Sequence, residues 1–401
     1  MPAPFWMIGT GAESEPLSED LQAFISEIRV EEDLSKPTRY AIRFEENICE
    51  GDFTVSRSPA LRFGETLAVI VKEKPEDQRL VCLVRGPITK VKTSAVTVGE
   101  GTFYEVHGED ERVLLAREGV QLEEQGYASD VLDGLLSFAD LPDTLEIDVE
   151  ETTIEYDEDF KLTHNGSLLE FAEKTARDNI KEFWIEYDPV EDGMPVAGHV
   201  RVKSSPGLPE TSGPAPFPPP IPLLSAESGK SLLVSAASGD CPGANVLSFD
   251  LDIEVEHASR VFFNILDDNG EIVAQEVTDE QPPLDDSGQR LDEAGGAQRS
   301  EARRVQGNPL EEALRAQAEA IEAGWYVKAS ASTALFTLKF LPRPHQVVSV
   351  EGIGEQYTGA FQIYEAIHVL NGAGVLSDIK LRRNSLNIVE APISLPGGIN
   401  A

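Results

Sequence analysis

Six histidines, His107, His164, His199, His257, His345 and His368, are the side chains best suited by type to move a proton or hold a metal ion near neutral pH. No two stand at i, i+4 and none has a cysteine close by, so the spacing from which a zinc site is built is missing. Each reads as a strand or loop residue. His107 and His368 end or interrupt strand-like segments, where they could line an interface. Carboxylates number 71, and at that density any two could be paired on paper as general acid and base. Clusters such as Glu31, Glu32 and Asp33, or Asp285 and Asp286, read as solvated turns. The run Asp267, Asp268, Asn269, Gly270 is dense in oxygen ligands like part of a calcium loop. Lying between RVFFNIL and EIVAQEV, it reads more simply as a hairpin turn whose Asn-Gly pair takes positive φ. No P-loop, strand-linked GxGxxG, nucleophile elbow, HExxH or EF-hand loop occurs. The residues therefore predict no catalytic, cofactor-binding or metal-binding set. A possible interface remains at Lys380, Arg382 and Arg383, which alternate in a strand and could form a rim that meets the acidic surface of a neighbouring subunit.

The charge balance narrows the partners. Against 33 Lys and Arg stand 71 Asp and Glu, a net charge of -38 that repels phosphate backbones and anionic lipid over long range. Sequence-specific nucleic-acid binding and membrane binding are thus not expected. Acidic residues could instead line a channel along which DNA or an acidic cargo slides without sticking. The three cysteines, Cys49, Cys82 and Cys241, lie far apart, which suits a reducing compartment and argues against a disulfide scaffold. The N-terminus lacks a basic, apolar leader, and assembly in the cytoplasm is the expectation.

The elements that position these residues alternate in type. From Ile25 to Val106, ISEIRVEEDL, RYAIRFEENI, TLAVIVKEK, RLVCLVRGPITKVKTSAVTV and TFYEVHG alternate apolar with polar residues, and this spacing predicts five or six short strands in a small antiparallel barrel. After Asp110 the period turns helical in ERVLLARE, SDVLDGLLSFA and SLLEFAEKTARDN, with Ser129 and Ser167 as possible N-caps. Strands return in KEFWIEYDPV and AGHVRVKSS. From Ser204 to Pro222 a run rich in proline, glycine and serine predicts an extended linker. Beyond it come strands, a polar stretch at 279–308 expected to be a disordered solvent loop, a helix over 309–323 capped by Asn308 and ended by Gly324, and a final all-strand segment. Trp184 and Trp325 sit in patterned strands and are expected in the core. Two strand-rich blocks on either side of the linker suggest a duplicated architecture.

This order of segments resembles the phage late control protein D family, which includes the hub domain of type VI secretion spike proteins and the central hub of contractile baseplates. SLLEFAEKTARDN followed by FWIEYD is similar to the family's helix leading into a strand. VVSVEGIGEQYTGAFQIYEAIHVLNGAGVLSDIKLRRN is similar to its closing strands, with Gly359, Phe361, Ile363 and His368 in corresponding places, and EEALRAQAEAIEA stands where the family carries a helix before the closing barrel. The resemblance implies a mainly β fold with α+β inserts, in which two small antiparallel β-barrels flank helix-containing domains. The expected division is a first barrel over 1–110, an α+β domain over 111–203, a linker over 204–229, a strand block over 230–324 and a second barrel over 325–401. It implies a non-enzymatic, homotrimeric symmetry adaptor between a sixfold tail tube protein and a trimeric spike protein, touching baseplate wedge proteins, with no cofactor. Because no spike barrel follows Ala401, the spike is expected to be a separate protein. The rival readings are a tail-associated cell-wall hydrolase, which would need converging carboxylates in a cleft, and a host-surface-binding β protein, which would need exposed aromatic platforms.

Overall fold

The computed structural model describes residues 5–46, 54–76, 79–95, 102–190, 195–205, 230–234, 244–266, 272–278, 281–284, 288–291, 293, 299–304 and 309–387. The N-terminal strands are β1 (Trp6–Thr10), β2 (Ile25–Asp33), β3 (Lys36–Glu45), β4 (Thr66–Lys72), β5 (Leu80–Ser94) and β6 (Phe103–Glu109). A mixed segment follows with α1 (Ala128–Phe138), β7 (Leu145–Val149), α2 (Leu168–Asp178), β8 (Glu182–Tyr187) and β9 (Gly198–Lys203). The C-terminal part contributes β10 (Val246–Ile253), β11 (Ala258–Leu266), β12 (Ile272–Thr278), β13 (Arg299–Arg304), α3 (Pro309–Gly324), β14 (Val327–Ala334), β15 (Val347–Glu351), β16 (Gly359–Asn371) and β17 (Gly374–Arg383).

The fold is mainly β and is built on one large sheet whose principal path runs β10-β14-β17-β16-β2-β3-β6-β5-β4-β1, with neighbours on this path antiparallel. The two strand blocks predicted separately are therefore fused, because β16 of the second block pairs along β2 of the first from Leu370 opposite Ile28 to Glu365 opposite Asp33. Where the sequence predicts two closed barrels, the pairings among the described residues follow an open path and close no ring. Strand β5 explains part of this. Its first half pairs with β4 and its second half, from Ile88 to Ser94, pairs with β6, with a register shift in each pairing, so one strand is shared between two sets of partners.

The leaves still wrap cores, as strict alternation requires. Ile28 and Val30 of β2, Ile42 and Phe44 of β3, Val69 of β4, Val84 of β5 and Val106 of β6 all enter one buried cluster, which also takes Leu335, Leu341, Leu370 and Val375 from the C-terminal block. Each such side chain contributes roughly 1.5–3 kcal/mol on burial, so apolar packing as well as backbone pairing binds the two blocks. A second cluster fills the mixed segment, where Phe171 and Ala172 of α2 meet Phe183 and Ile185 of β8 and Val200 and Val202 of β9. A third lies inside the C-terminal block around Tyr326, Phe361, Ile363 and Leu381. Trp184 of β8 is buried, as its strand pattern predicts, and Trp325 is buried too, although it lies between α3 and β14 rather than in a strand.

Local signals succeed and fail for clear reasons. Ser167 caps α2 in a full capping box with Glu170, each side chain answering the other's backbone N–H. Ser129 is not a cap, because α1 begins one residue earlier, after Tyr127, and the Ser129 hydroxyl instead accepts from the Thr152 backbone at 3.1 Å. The stretch 279–308 is not simply a solvent loop. Leu284 and Leu291 are buried, Gly288–Gln289 pairs with Leu386–Asn387, and β13 lies parallel to β11. Two apolar residues in a polar run suffice to pin it. Strands β11 and β12 pair antiparallel, while the turn Asp267–Gly270, the proposed Asn308 cap and most of the proline-rich linker lie outside the described residues. No helix among the described residues is long and apolar enough to cross a membrane.

Candidate functional site

The seam between the two strand blocks gathers the polar chemistry. In ISEIRVEED, alternation puts Glu32 on the same inward face as Ile28 and Val30, and the carboxylate is buried there. Arg343 donates to Glu32 Oε1 from Nε at 2.9 Å and from Nη2 at 2.6 Å. His368 of β16, wholly buried, sets Nε2 3.0 Å from Glu32 Oε2 and Nδ1 2.8 Å from the Ser377 hydroxyl of β17. Burial alone would raise the Glu32 carboxyl, yet Arg343 and the His368 ring outweigh it and hold it below its usual value.

Ser377, His368 and Glu32 thus have the composition of a nucleophilic triad, and geometry decides against that reading. In a working triad the hydroxyl meets Nε2 and the carboxylate meets Nδ1, whereas here the two nitrogens are exchanged. All three side chains are also buried, with Ser377 only 1% exposed, so a substrate carbonyl has no approach. The line of groups acts as a polar rivet, satisfied along its length.

A related cluster ties β8 to the C-terminal block. Glu182 Oε2 lies 2.9 Å from His345 Nδ1, while Oε1 is 3.6 Å from Arg382 and the Ser205 hydroxyl donates to Oε2 at 3.2 Å. The Trp184 ring packs on His345 at 4.5 Å between centroids, and the Arg382 guanidinium sits 4.5 Å over the Trp325 ring. Burial would raise Glu182, but His345, Arg382 and Ser205 overcome it and hold the carboxyl below its usual value. Beside this cluster opens a cleft of about 720 Å³ where the β2–β3 turn, α2, β8 and α3 converge. Its cations are engaged: Arg315 of α3 pairs with Asp178 of α2, and Arg382 donates to Gln362 at 2.8 Å.

A third cluster fixes β5 to the mixed segment. Arg85, 1% exposed, donates to the Glu111 carboxylate, to the Val196 carbonyl and, at 2.9 Å, to the Thr144 hydroxyl. The Tyr187 hydroxyl donates to the other Glu111 oxygen. Burial pushes the Glu111 carboxyl up, against the pull of Arg85 and Tyr187. Next to it Arg112 chelates Asp110 and donates to the carbonyls of Phe183 and Lys36.

The opposite face of the sheet is covered differently. From β10 to the second half of β5 the path counts eight strands. One cross-strand row runs Ser248, Ser332, Asp378, Ile367, Glu31, Arg39, Glu109. Three ion pairs cross between strands on this face, Arg39 to Glu109 at 3.2 Å, Arg43 to Glu105 at 2.9 Å and Lys380 to Glu365 at 2.7 Å, while Glu31 pairs with Arg29 of its own strand and Asp378 accepts from the Ser332 hydroxyl. At the two ends, β10 and the Thr89–Ser94 stretch of β5 each have a described neighbour on one side only.

Of the basic rim read from sequence, Lys380 and Arg382 lie on the outward face of β17, Lys380 exposed and Arg382 drawn into the cleft. Arg383 does not join them. The period of two turns it inward, where it is wholly buried and donates to the Thr358 carbonyl at 3.0 Å and to Asn387. Glu32, grouped in the sequence with solvated turn residues, is likewise buried, and its place in step with Ile28 and Val30 was the available signal. No such signal marked Arg85 or Glu111, whose partners arrive from residues 144, 187 and 196. The remaining histidines do not assemble: His107 neighbours Glu105, His164 abuts the Phe171 ring, and His199 lies between Glu146 and Asp188. No group of three or more metal-binding side chains forms among the described residues.

No protein-family model and no curated sequence matches the chain. Solved structures do. The 43 kDa tail protein of prophage MuSo2 from Shewanella oneidensis superposes with a TM-score of 0.62 at 12% identity, covering 95% of this chain and 100% of that one. A tail protein from Neisseria meningitidis MC58 gives 0.58 at 13% identity over 94% of this chain and 96% of that one. The chain has the fold of phage tail proteins. The same tail-protein fold extends to an Escherichia coli component of the type VI secretion system, itself described as structurally similar to T4 tail proteins gp27 and gp5, with a TM-score of 0.50 at 11% identity over 93% of this chain and 77% of that one.

Proposed function

We propose that the protein is a structural hub of a phage tail or contractile injection system, a homotrimer that adapts a sixfold tail tube to a trimeric spike and is held among baseplate wedge proteins. The observation that carries this reading is the fused sheet. Its eight-stranded path divides at the β2–β16 seam into two four-stranded leaves, each containing a tight hairpin, β2–β3 in one and β16–β17 in the other. Two like leaves per chain, repeated three times about an axis, present six similar edges, which is what a threefold body needs to meet a sixfold tube. Residues 1–110, and 325–401 together with β10, act as the two quasi-equivalent modules, and 111–203 and the rest of 230–324 supply the parts that obey threefold symmetry only. Strand β10 of one copy joins the Thr89–Ser94 edge of the next, which covers both edges and closes the ring.

The resemblance to tail proteins over almost the whole chain supports the tail role. On this reading the outward sheet face lines the axial channel. Its paired charges then make a charge-compensated lining, in place of the acidic one expected from net charge. Assembly takes place in the cytoplasm, and Lys380 belongs to the subunit-facing surface. Analytical ultracentrifugation of the purified chain at micromolar concentration tests the reading. Trimer is the expected species, and monomer alone, with or without the spike protein, overturns it.

A further inference from the structure

Two of the ionic clusters share a plan. Each centres on one carboxylate from the N-terminal half, Glu32 of β2 or Glu182 of β8, and each carboxylate faces one arginine and one histidine from the C-terminal block. Glu32 faces Arg343 and His368, with the Ser377 hydroxyl behind the ring and the Cys82 carbonyl beside the guanidinium. Glu182 faces His345 and Arg382, with the Ser205 hydroxyl on one side. His345 and Arg382 each rest on a tryptophan ring, Trp184 and Trp325. The two central carboxylates thus come from one half and the arginines they face from the other, with Arg382 also meeting the exposed Glu322 of its own half at 3.3 Å.

We propose that Glu32 and Glu182 form a twin clasp that holds the C-terminal strand block on the N-terminal half and releases it in acid before the strands of either half melt. The chemistry is asymmetric. When the two carboxylates take up protons, Arg343 loses the carboxylate it pairs with at the buried seam and Arg382 keeps only the exposed Glu322 carboxylate at 3.3 Å, and an uncompensated buried charge is strongly destabilising. Within a half no comparable segregation occurs, since Arg85 with Glu111, and Arg112 with Asp110, are joined inside the N-terminal half. The sign follows from linkage. Both carboxyls are held below the ordinary value of 4.5 in the folded chain. Their contribution is complete above that value and is lost as the pH falls through their lower folded values. The clasp does not depend on the tail role.

The two tryptophans are built-in reporters. The full-length chain is titrated from pH 7 to pH 2.5, following tryptophan fluorescence and far-ultraviolet circular dichroism together. The expected result is a fluorescence transition below pH 4.5 that precedes the loss of strand signal. Glu182→Gln should move its midpoint upward by at least about half a pH unit and lower its proton stoichiometry. Glu32→Gln should do the same, and Glu27→Gln, on the outward face of β2, should leave it in place. Coincident fluorescence and dichroism transitions in the unmodified chain overturn the proposal, as does an unmoved midpoint in Glu182→Gln. Should Glu32→Gln not fold, the Glu182→Gln comparison decides alone.

Discussion

Replacing Arg85 by methionine tests the claim that buried ionic clusters lock the N-terminal strands to the mixed segment. The guanidinium and the Glu111 carboxylate are each 1% exposed. Removing the guanidinium strands a carboxylate with Tyr187 as its remaining side-chain donor, and leaves the Val196 carbonyl and the Thr144 hydroxyl short of a donor. Breaking one partner out of such a pair costs about 3–5 kcal/mol. Because burial already pushes the Glu111 carboxyl up, the variant should hold a proton there, so its deficit should be smaller at pH 5 than at pH 8. Adding Glu111→Leu removes the stranded charge and should return at least about 2 kcal/mol. Urea unfolding of the four chains of the double-mutant cycle, followed by tryptophan fluorescence at both pH values, supplies the measurement. A loss under about 1 kcal/mol for Arg85→Met, or a double variant that simply sums the two single losses, would refute the reasoning.

Ser167→Ala removes the capping box of α2 and should cost about 1 kcal/mol in the same urea assay, while Ser129→Ala at α1 removes no cap. Cysteines placed at Lys92 and Asp250, one near each open end of the eight-stranded path, should form disulfides between copies under oxidation, giving covalent species up to a trimer on non-reducing gels; intramolecular or absent cross-links would count against a ring closed through these edges. Since each copy carries a net charge of -38, association should strengthen in sedimentation velocity as salt rises from about 0.01 to 0.1 M, which shortens the screening length from about 30 to about 10 Å.

Much of the fold was legible because alternation is a strong local signal. The strands of both blocks, the α2 cap and the burial of Trp184 follow from period and residue type. The fused sheet was not legible, because pairing between Ile28 and Leu370 leaves no trace in either strand taken alone: each reads only as amphipathic. The polar stretch after Thr278 misled for a related reason. Its average composition says loop, while two leucines and an edge of β11 decide otherwise. The clusters at Glu32, Glu182 and Arg85 were hidden by abundance, since a carboxylate with a distant partner looks in sequence like the many that face water. Only the inward phase of Glu32 in ISEIRVEED was there to be read.

The β2–β16 seam also bears on when the molecule becomes competent. The N-terminal leaf reaches its finished interior only when Leu335, Leu341, Leu370 and Val375 arrive, far along the chain from β2 and β3. A nascent chain emerging from the ribosome therefore carries an unfinished leaf with β2 unpaired on one side, and contacts so distant along the chain form late and slowly. Truncated products, lacking the strand that completes the first leaf, cannot present the finished surface to their sisters. Synthesis through β17 becomes a checkpoint on incorporation, and broken subunits are kept out of the particle by their own geometry.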